Sequence, residues 1–156
     1  MNQKLTYMIQ VSRLSWNDAE KMIEASTRKA IEIGVPTNIA VVDEAGILLA
    51  FKRMDGALIG CGELAIDKAF AAAMFGISTE EEAKLAQPGQ PDLGVQALFG
   101  GRMTTIGGGL PIKLGKHVLG GIGVSTGTVE EDIVTAEAGL KAFHNDTKES
   151  RFSKPT

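Results

Sequence analysis

The sequence has little of the residue types that build disulfides and metal centres. Its 156 residues include one cysteine, Cys61, and two histidines, His117 and His144. A lone cysteine excludes an internal disulfide and is typical of a reducing cytoplasm. The histidines stand far apart, and neither has a partner at the short spacing that zinc sites use. We therefore expect no metal site.

A strong charge of either sign and long apolar runs are also missing. The net charge is −3, with no basic block that could provide an electrostatic surface for nucleic acid. No apolar run approaches the ~18 residues of a transmembrane helix. The opening residues MNQKLTYMIQ lack the basic start and apolar centre of a secretory signal. These absences predict a cytoplasmic protein with neither a membrane nor a nucleic-acid partner.

What remains has the composition of a soluble globular domain, with 44% hydrophobic and 22% charged residues. The length fits one domain, residues 1–156, with a sizeable core. Residues 145–156 are polar, and we expect them to form a frayed tail.

In the first half of the chain, the hydrophobic period changes from helical to extended and back. Ser15 begins a helix that stops at Gly34, and residues 38–43 and 47–53 predict a hairpin. Because both strands are strongly apolar, we expect this hairpin in the middle of a covered sheet. An alanine-rich helix follows, beginning near Glu63 and ending at Gly76.

The second half begins with a short helix capped by Ser78 and a breaker-rich loop over 87–94. Residues 110–114 and 117–125 predict a second hairpin, whose glycines suggest a bulge or close backbone packing. A final helix begins at Thr128. Since helices and strands do not alternate, the order predicts an α+β fold, an antiparallel sheet with helices on its faces.

The glycine-rich stretch FGGRMTTIGGGLPI, residues 99–112, first suggests a phosphate-binding loop. Such loops need a helix after the glycines, and a P-loop also needs a lysine followed by Ser or Thr. Here the extended Leu110-Pro111-Ile112 follows instead. We therefore interpret Gly107, Gly108 and Gly109 as backbone shape around a ligand or a corner.

Four side chains near glycine loops or small residues are candidates for contacting a ligand. Arg53 follows a predicted strand and precedes Asp55, so it either faces a ligand or forms a salt bridge within the turn. Lys68 could reach an anion or extend to solvent. Arg102 has the planar fork that suits carboxylates, and Phe99 could stack on a flat ligand. Cys61 is expected to be a small buried hydrophobe.

Three stretches carry a family resemblance: AVVDEAGILLAFKRMDGA, AIDKAFAAAMFG and GGGLPIKLGKHVLGGIGVSTGTVEEDIVTAEAGL. They resemble the GlcG/HbpS-like family of small haem-binding or haem-degrading proteins, which includes the C-terminal domain of PduO-type proteins. The resemblance covers a core of about residues 12–143. It implies a profilin-like fold, assembly into a homo-oligomer and a link to glycolate, diol or glycerol metabolism.

The same resemblance makes haem a possible cofactor. A haem iron takes His, Cys, Met or Tyr as its axial ligand. Some family members use a histidine in the N-terminal helical region, but residues 1–60 of this chain contain none. The axial ligand therefore stays open.

Three functional hypotheses follow. The leading one is a binding protein for haem or another small anionic ligand. The second is a small isomerase or lyase acting on a hydroxy acid or aldehyde, with Lys68 as base or Schiff-base donor. The third is an assembly partner of a larger enzyme. The proposed ligand-binding residues are Arg53, Asp55, Lys68, Phe99, Arg102, Gly107, Gly108, Gly109 and Pro111.

Overall fold

The structure is a computed structural model that describes residues 11–152, with side chains as far as Thr147. Four α-helices, four strands and one 3-10 segment make up this part of the chain. In chain order they are α1 (Trp16–Ile33), β1 (Asn38–Asp43), β2 (Leu48–Arg53), α2 (Cys61–Phe75), α3 (Thr79–Leu85), the 3-10 segment (Val95–Gly101), β3 (Gly109–Leu114), β4 (His117–Ser125) and α4 (Val129–Phe152).

The four strands form one antiparallel sheet in the order β2-β1-β4-β3. This confirms the α+β prediction. The expectation that the whole first hairpin lies mid-sheet is wrong, because only β1 is central and β2 is an edge strand. Leu48 and Phe51 of β2 are 43% and 41% exposed. Apolar composition misled the prediction because an uncovered edge can be as apolar as a central strand.

Helices cover both faces of the sheet. Helices α1 and α4 pack on one face, where Met22, Ile39, Ile122 and Phe143 belong to a shared core. Helix α2 packs on the other face, chiefly on β4, β1 and β3, and contacts β2 only marginally. The sheet is therefore the middle of three layers, and only β2 lacks a full cover on the α2 side.

Helix α2 lies unusually close to β4 because glycines face it. A Cβ on Gly121 or Gly123 would collide with the carbonyl oxygens of Ala69 and Ala65 respectively. The predicted close backbone packing at the second hairpin is confirmed here. The alanines of α2 complete this contact, since a larger side chain would hold the two backbones apart.

Helix ends mostly follow the local signals. Ser15 and Ser78 form capping boxes with the third residues of α1 and α3, and Gly34 and Gly76 end α1 and α2 in the left-handed conformation. The expectation of a frayed tail over 145–156 is wrong for residues 145–152, which belong to α4, and residues 153–156 lie outside the described residues. Asp146 Oδ2 forms an ion pair with Lys21 Nζ of α1 at 2.7 Å, which extends the contact between α1 and α4.

Candidate functional site

Lys68 lies inside the protein rather than in a ligand cleft. It is 1% exposed, and its Nζ donates hydrogen bonds of 2.8 Å to Asp132 Oδ2 and 2.8 Å to the Val124 carbonyl oxygen. Burial raises the pKa of the Asp132 carboxyl, against the opposing attraction of the Lys68 ammonium. The pair connects α2, β4 and α4, so its charge is used in holding the helices to the sheet.

The run Gly107–Gly109 packs directly over this ion pair. A Cβ on Gly108 would lie 2.9 Å from Lys68 Nζ and 2.8 Å from the Val124 carbonyl oxygen. The Gly109 amide donates to Thr79 Oγ1 at 3.0 Å. These contacts give the glycines a packing function, because any side chain here would displace α2 or α4.

The outer side of the same segment lines a shallow surface cavity of about 460 Å³. Gly108, Gly109 and Pro111 contribute to it, together with three glutamates and one lysine, which are Glu80, Glu81, Glu137 and Lys84. A lining with more carboxylates than cations repels an anion. This part of the predicted site therefore suits an anionic ligand poorly.

Phe99 and Arg102 both pack against the ring of Phe70 instead of lining an open pocket. The Arg102 guanidinium carbon lies 3.8 Å from the centre of the Phe70 ring, and Phe99 packs edge-on to that ring at 5.4 Å. Arg102 Nε also donates to Asp67 Oδ1 at 3.0 Å. Asp67 and Phe70 of the chain itself thus provide the carboxylate and the ring that were expected to come from a ligand.

Arg53 is the predicted residue that does line an open cleft. The cleft has a volume of about 540 Å³ and lies between β2 and the start of α2. Its walls are mostly apolar, with Glu63 as the acidic member, and comprise Leu48, Phe51, Arg53, Ile59, Gly60, Gly62, Glu63 and Ile66. Among residues 11–152, Arg53 forms no ion pair with Asp55, and both are exposed. Its guanidinium is therefore available to a ligand.

Strand register explains why Arg53 and Phe51 point into this cleft. Arg53 lies opposite Asn38, and Phe51 opposite Ala40, so each pair shares a face of the sheet. Ala40 packs against α2. Arg53 and Phe51 are therefore on the α2 side, at the point where α2 leaves β2 uncovered.

The start of α2 is held in place by Asn38. Its Nδ2 donates to the Leu58 carbonyl oxygen at 2.9 Å and to Thr126 Oγ1 at 3.0 Å, while its buried Oδ1 has no partner. The N-cap residue of α2, Gly60, offers no side-chain acceptor to the first turn. The first amides of α2 are satisfied by the backbone instead, because Cys61 N and Gly62 N donate to the Leu58 and Ile59 carbonyl oxygens at 3.2 and 3.1 Å. Glu63 in the first turn complements the helix dipole.

Sequence reasoning missed a third cavity, of about 490 Å³, around His117. Its apolar wall includes Leu114, Val118 and Leu119, and its polar members include Arg13 and Glu44. Arg13 Nε pairs with Glu44 Oε1 at 2.6 Å, while Glu44 Oε2 is enclosed without a hydrogen-bond partner among the described residues. No local motif indicates this cavity, because its walls come from three separate parts of the chain.

Three other expectations concern metal sites, membrane-spanning helices and the burial of Cys61. Within residues 11–152, no three His, Cys, Asp or Glu side chains are grouped to hold a metal ion. None of the helices in that range is long and apolar enough to cross a membrane. Cys61 was expected to be a small buried hydrophobe, but it is only half-buried. It stands at the first position of α2, beside the cleft.

The three-layer fold and its open apolar cleft define a small α+β domain with space for a ligand. Residues 14–141 match the family described as haem-degrading protein HbpS-like, and the chain belongs to this family. The resemblance stated from the three sequence stretches is thereby confirmed.

Two curated relatives come from Citrobacter freundii. A 15.0 kDa protein of the dhaT–dhaS intergenic region is 38% identical over 86% of this chain and 94% of its own length. The corrinoid adenosyltransferase PduO is 34% identical over 84% of this chain, which spans only 39% of that larger protein. A crystal structure of a PduOC–haem complex superposes with a TM-score of 0.80, at 31% identity, covering 84% of this chain and 95% of that one.

Proposed function

We propose that this chain binds a small anionic ligand with an apolar body, haem or a compound of similar chemistry, in the cleft lined by Arg53. The observation that carries the proposal is an exposed arginine at the rim of a mostly apolar cleft, with no ion-pair partner among the described residues. The guanidinium would pair with a carboxylate, and Phe51 and Ile59 would contact the apolar part.

The haem complex of the related PduOC chain supports a ligand of this kind, since haem combines a flat apolar ring with two carboxylates. When bound, haem supplies the redox and oxygen chemistry of its iron. The Arg53 cleft offers apolar walls to a ring and one arginine to a carboxylate, but none of its lining residues is His, Cys, Met or Tyr. The cleft therefore offers no axial ligand, and binding would rest on the carboxylates and the ring face.

Titration with haemin and with iron-free protoporphyrin IX tests the proposal. We expect both porphyrins to saturate at the same stoichiometry with similar affinity, because the iron contributes little. Arg53→Ala should weaken both by about tenfold or more, the effect of losing one charge-assisted hydrogen bond. Lys52→Ala is the matched control, since Lys52 is the neighbouring exposed cation on the opposite face of β2.

Other outcomes would contradict the site. If haemin alone binds and His117→Ala abolishes that binding, the ligand lies in the His117 cavity, where iron ligation is available. If Arg53→Ala and Lys52→Ala weaken binding equally, the attraction is general electrostatics rather than a contact at Arg53. If neither porphyrin saturates, the anionic-ligand proposal fails in this form.

The alternative hypotheses receive less support from the geometry. Lys68 is enclosed and donates to Asp132 and Val124, so it has no route to a substrate carbonyl. The glycine run is packed inside the chain rather than presented to a partner enzyme. The homo-oligomer and the link to glycolate, diol or glycerol metabolism stay predictions from the family resemblance. The cytoplasmic location stays a prediction from the sequence.

A further inference from the structure

The side-chain amide of Asn38 is held in one orientation by the groups around it. Its Nδ2 lies 2.9 Å from the Leu58 carbonyl oxygen, 3.2 Å from the Ser125 carbonyl oxygen and 3.0 Å from Thr126 Oγ1. Because the two carbonyl oxygens only accept hydrogen bonds, the group that faces them is the NH2 of the amide. Oδ1 therefore points the other way. Asn38 is fully buried, and its Oδ1 has no hydrogen-bond partner among the described residues.

Asn38 Oδ1 faces the wall of the Arg53 cleft at Gly62. A Cβ on Gly62 would lie 3.6 Å from Asn38 Oδ1 and 3.3 Å from Phe51 Cζ, and both Gly62 and Phe51 line the cleft. The Phe51 side chain is the movable part of this cover, since it is 41% exposed on an edge strand. A buried acceptor without a hydrogen bond costs free energy, so a donor that enters beside Gly62 is bound favourably.

Asn38 and Arg53 are neighbours across the sheet. They lie directly opposite each other where β1 pairs with β2. Opposite residues share a face of the sheet, with their Cβ atoms about 5 Å apart. The two side chains therefore offer a cation and a neutral acceptor to the same part of the cleft. A ligand that uses both must carry a hydrogen-bond donor within a few bonds of its carboxylate.

We propose that the Arg53 cleft selects a carboxylic acid that has a hydroxyl group near the carboxylate and an apolar body. The inference rests on the ligand site proposed above and names the class of its ligand. The carboxylate pairs with Arg53, the hydroxyl donates to Asn38 Oδ1 beside Gly62, and the Phe51 ring turns onto the apolar body. A hydroxyl suits this acceptor better than an ammonium, because moving a charge into an enclosed position costs far more than moving a neutral donor.

The charge of the cleft agrees with a ligand that has a single carboxylate. The lining contains one cation, Arg53, and one anion, Glu63. A second carboxylate on the ligand is repelled by Glu63, and no second cation of the lining offsets that repulsion. Haem has two carboxylates and no hydroxyl, so the inference narrows the ligand from haem-like compounds to a smaller hydroxy acid.

Calorimetric titration of the purified full chain with three acids of nearly equal size tests the proposal. Phenyllactate carries the hydroxyl, 3-phenylpropionate lacks it, and phenylalanine has an ammonium in its place. We expect phenyllactate to bind about fivefold to tenfold more tightly than 3-phenylpropionate, the effect of one hydrogen bond to a buried acceptor. Phenylalanine should bind more weakly than phenyllactate.

Gly62→Ala closes the approach to Asn38 Oδ1 and leaves Arg53 in place. The added Cβ fills the space in front of Oδ1, so phenyllactate and 3-phenylpropionate should bind equally. Gly60→Ala is the matched control: Gly60 also lines the cleft, but a Cβ there meets nothing within 4 Å, so the preference for the hydroxyl should remain. Neither glycine has a positive φ, and circular dichroism and thermal unfolding check that both variants are folded.

Several results would overturn the inference. They are no saturable binding of phenyllactate, equal binding of phenyllactate and 3-phenylpropionate to the wild type, tighter binding of phenylalanine, and a hydroxyl preference that Gly62→Ala retains or that Gly60→Ala also removes. Failure of the ligand site itself is distinguishable, because all three acids would then bind unchanged after Arg53→Ala. Porphyrin binding that depends on Arg53, without any preference for the hydroxy acid, would leave the ligand site standing and overturn only its assignment to hydroxy acids.

Discussion

At the scale of single residues, Lys68 shows how a charge can be used inside a fold. Its ammonium is enclosed with the Asp132 carboxylate at 2.8 Å, and both side chains are at least 95% buried. A buried pair gains little over apolar residues of similar size, but a single buried charge left without its partner is costly. Removing either Lys68 or Asp132 alone should therefore destabilise the protein more than removing both.

We predict that Lys68→Met destabilises the protein by about 3–5 kcal/mol, because it leaves the Asp132 carboxylate buried and unpaired. The double variant Lys68→Met with Asp132→Leu should recover much of that loss. Urea unfolding of wild type, both single variants and the double variant gives the coupling free energy. Simple addition of the two single effects would contradict a direct pair.

The sequence identified several of these residues but not their partners. Arg102 was predicted to face a carboxylate and Phe99 a flat ligand, and both interaction types are present, with Asp67 and Phe70 as the partners. Asp67 lies 35 positions from Arg102 in the chain. Contacts across such separations depend on how α2 and the 3-10 segment are placed, which local patterns do not encode.

At the scale of elements, local chemistry determines where a helix begins and ends, but it does not determine which elements lie next to each other. Capping by Ser15 and Ser78 and the left-handed Gly34 and Gly76 fix where three helices begin or end. The insertion of β4 between β1 and β3 depends on a pairing between residues about 80 positions apart. This is why the first hairpin was predicted mid-sheet, although β2 lies at the edge.

The contact between α2 and β4 supports a prediction at this scale. Gly123→Ala should destabilise the protein by about 1–3 kcal/mol or more, because its Cβ would collide with the Ala65 carbonyl oxygen and the helix would have to move outward. Thermal unfolding measures the loss. Gly60→Ala is the control: a Cβ there meets nothing within 4 Å, and its backbone is already right-handed helical. Equal losses in both variants would contradict the close packing.

At the scale of the whole molecule, stability should depend on pH through carboxylates in different surroundings. Glu82 is 3% exposed, its Oε1 has no partner, and burial together with Asp92 raises its pKa above the ordinary value of 4.5. Glu81, one residue earlier, accepts hydrogen bonds from Ser78, which lower its pKa below 4.5. These two neighbouring carboxyls therefore change the free energy of unfolding with pH in opposite directions.

The signs follow from linkage between proton binding and folding. The Glu81 contribution is present above pH 4.5 and is lost as the pH falls through its lowered pKa. The Glu82 contribution is present below pH 4.5 and is lost as the pH rises through its raised pKa, because the folded state then holds a buried carboxylate without a partner. Between weakly acidic and neutral pH, Glu82 should therefore lower the free energy of unfolding.

Glu82→Gln removes this ionisation with little change of shape. We expect the variant to lose less stability than wild type between weakly acidic and neutral pH, measured as the shift of the urea midpoint. Glu80→Gln, which changes an exposed carboxyl of the same helix, should retain the wild-type dependence. Parallel pH profiles for wild type and Glu82→Gln would contradict the prediction, because Glu82 would then bind its proton equally well in the folded and the unfolded protein.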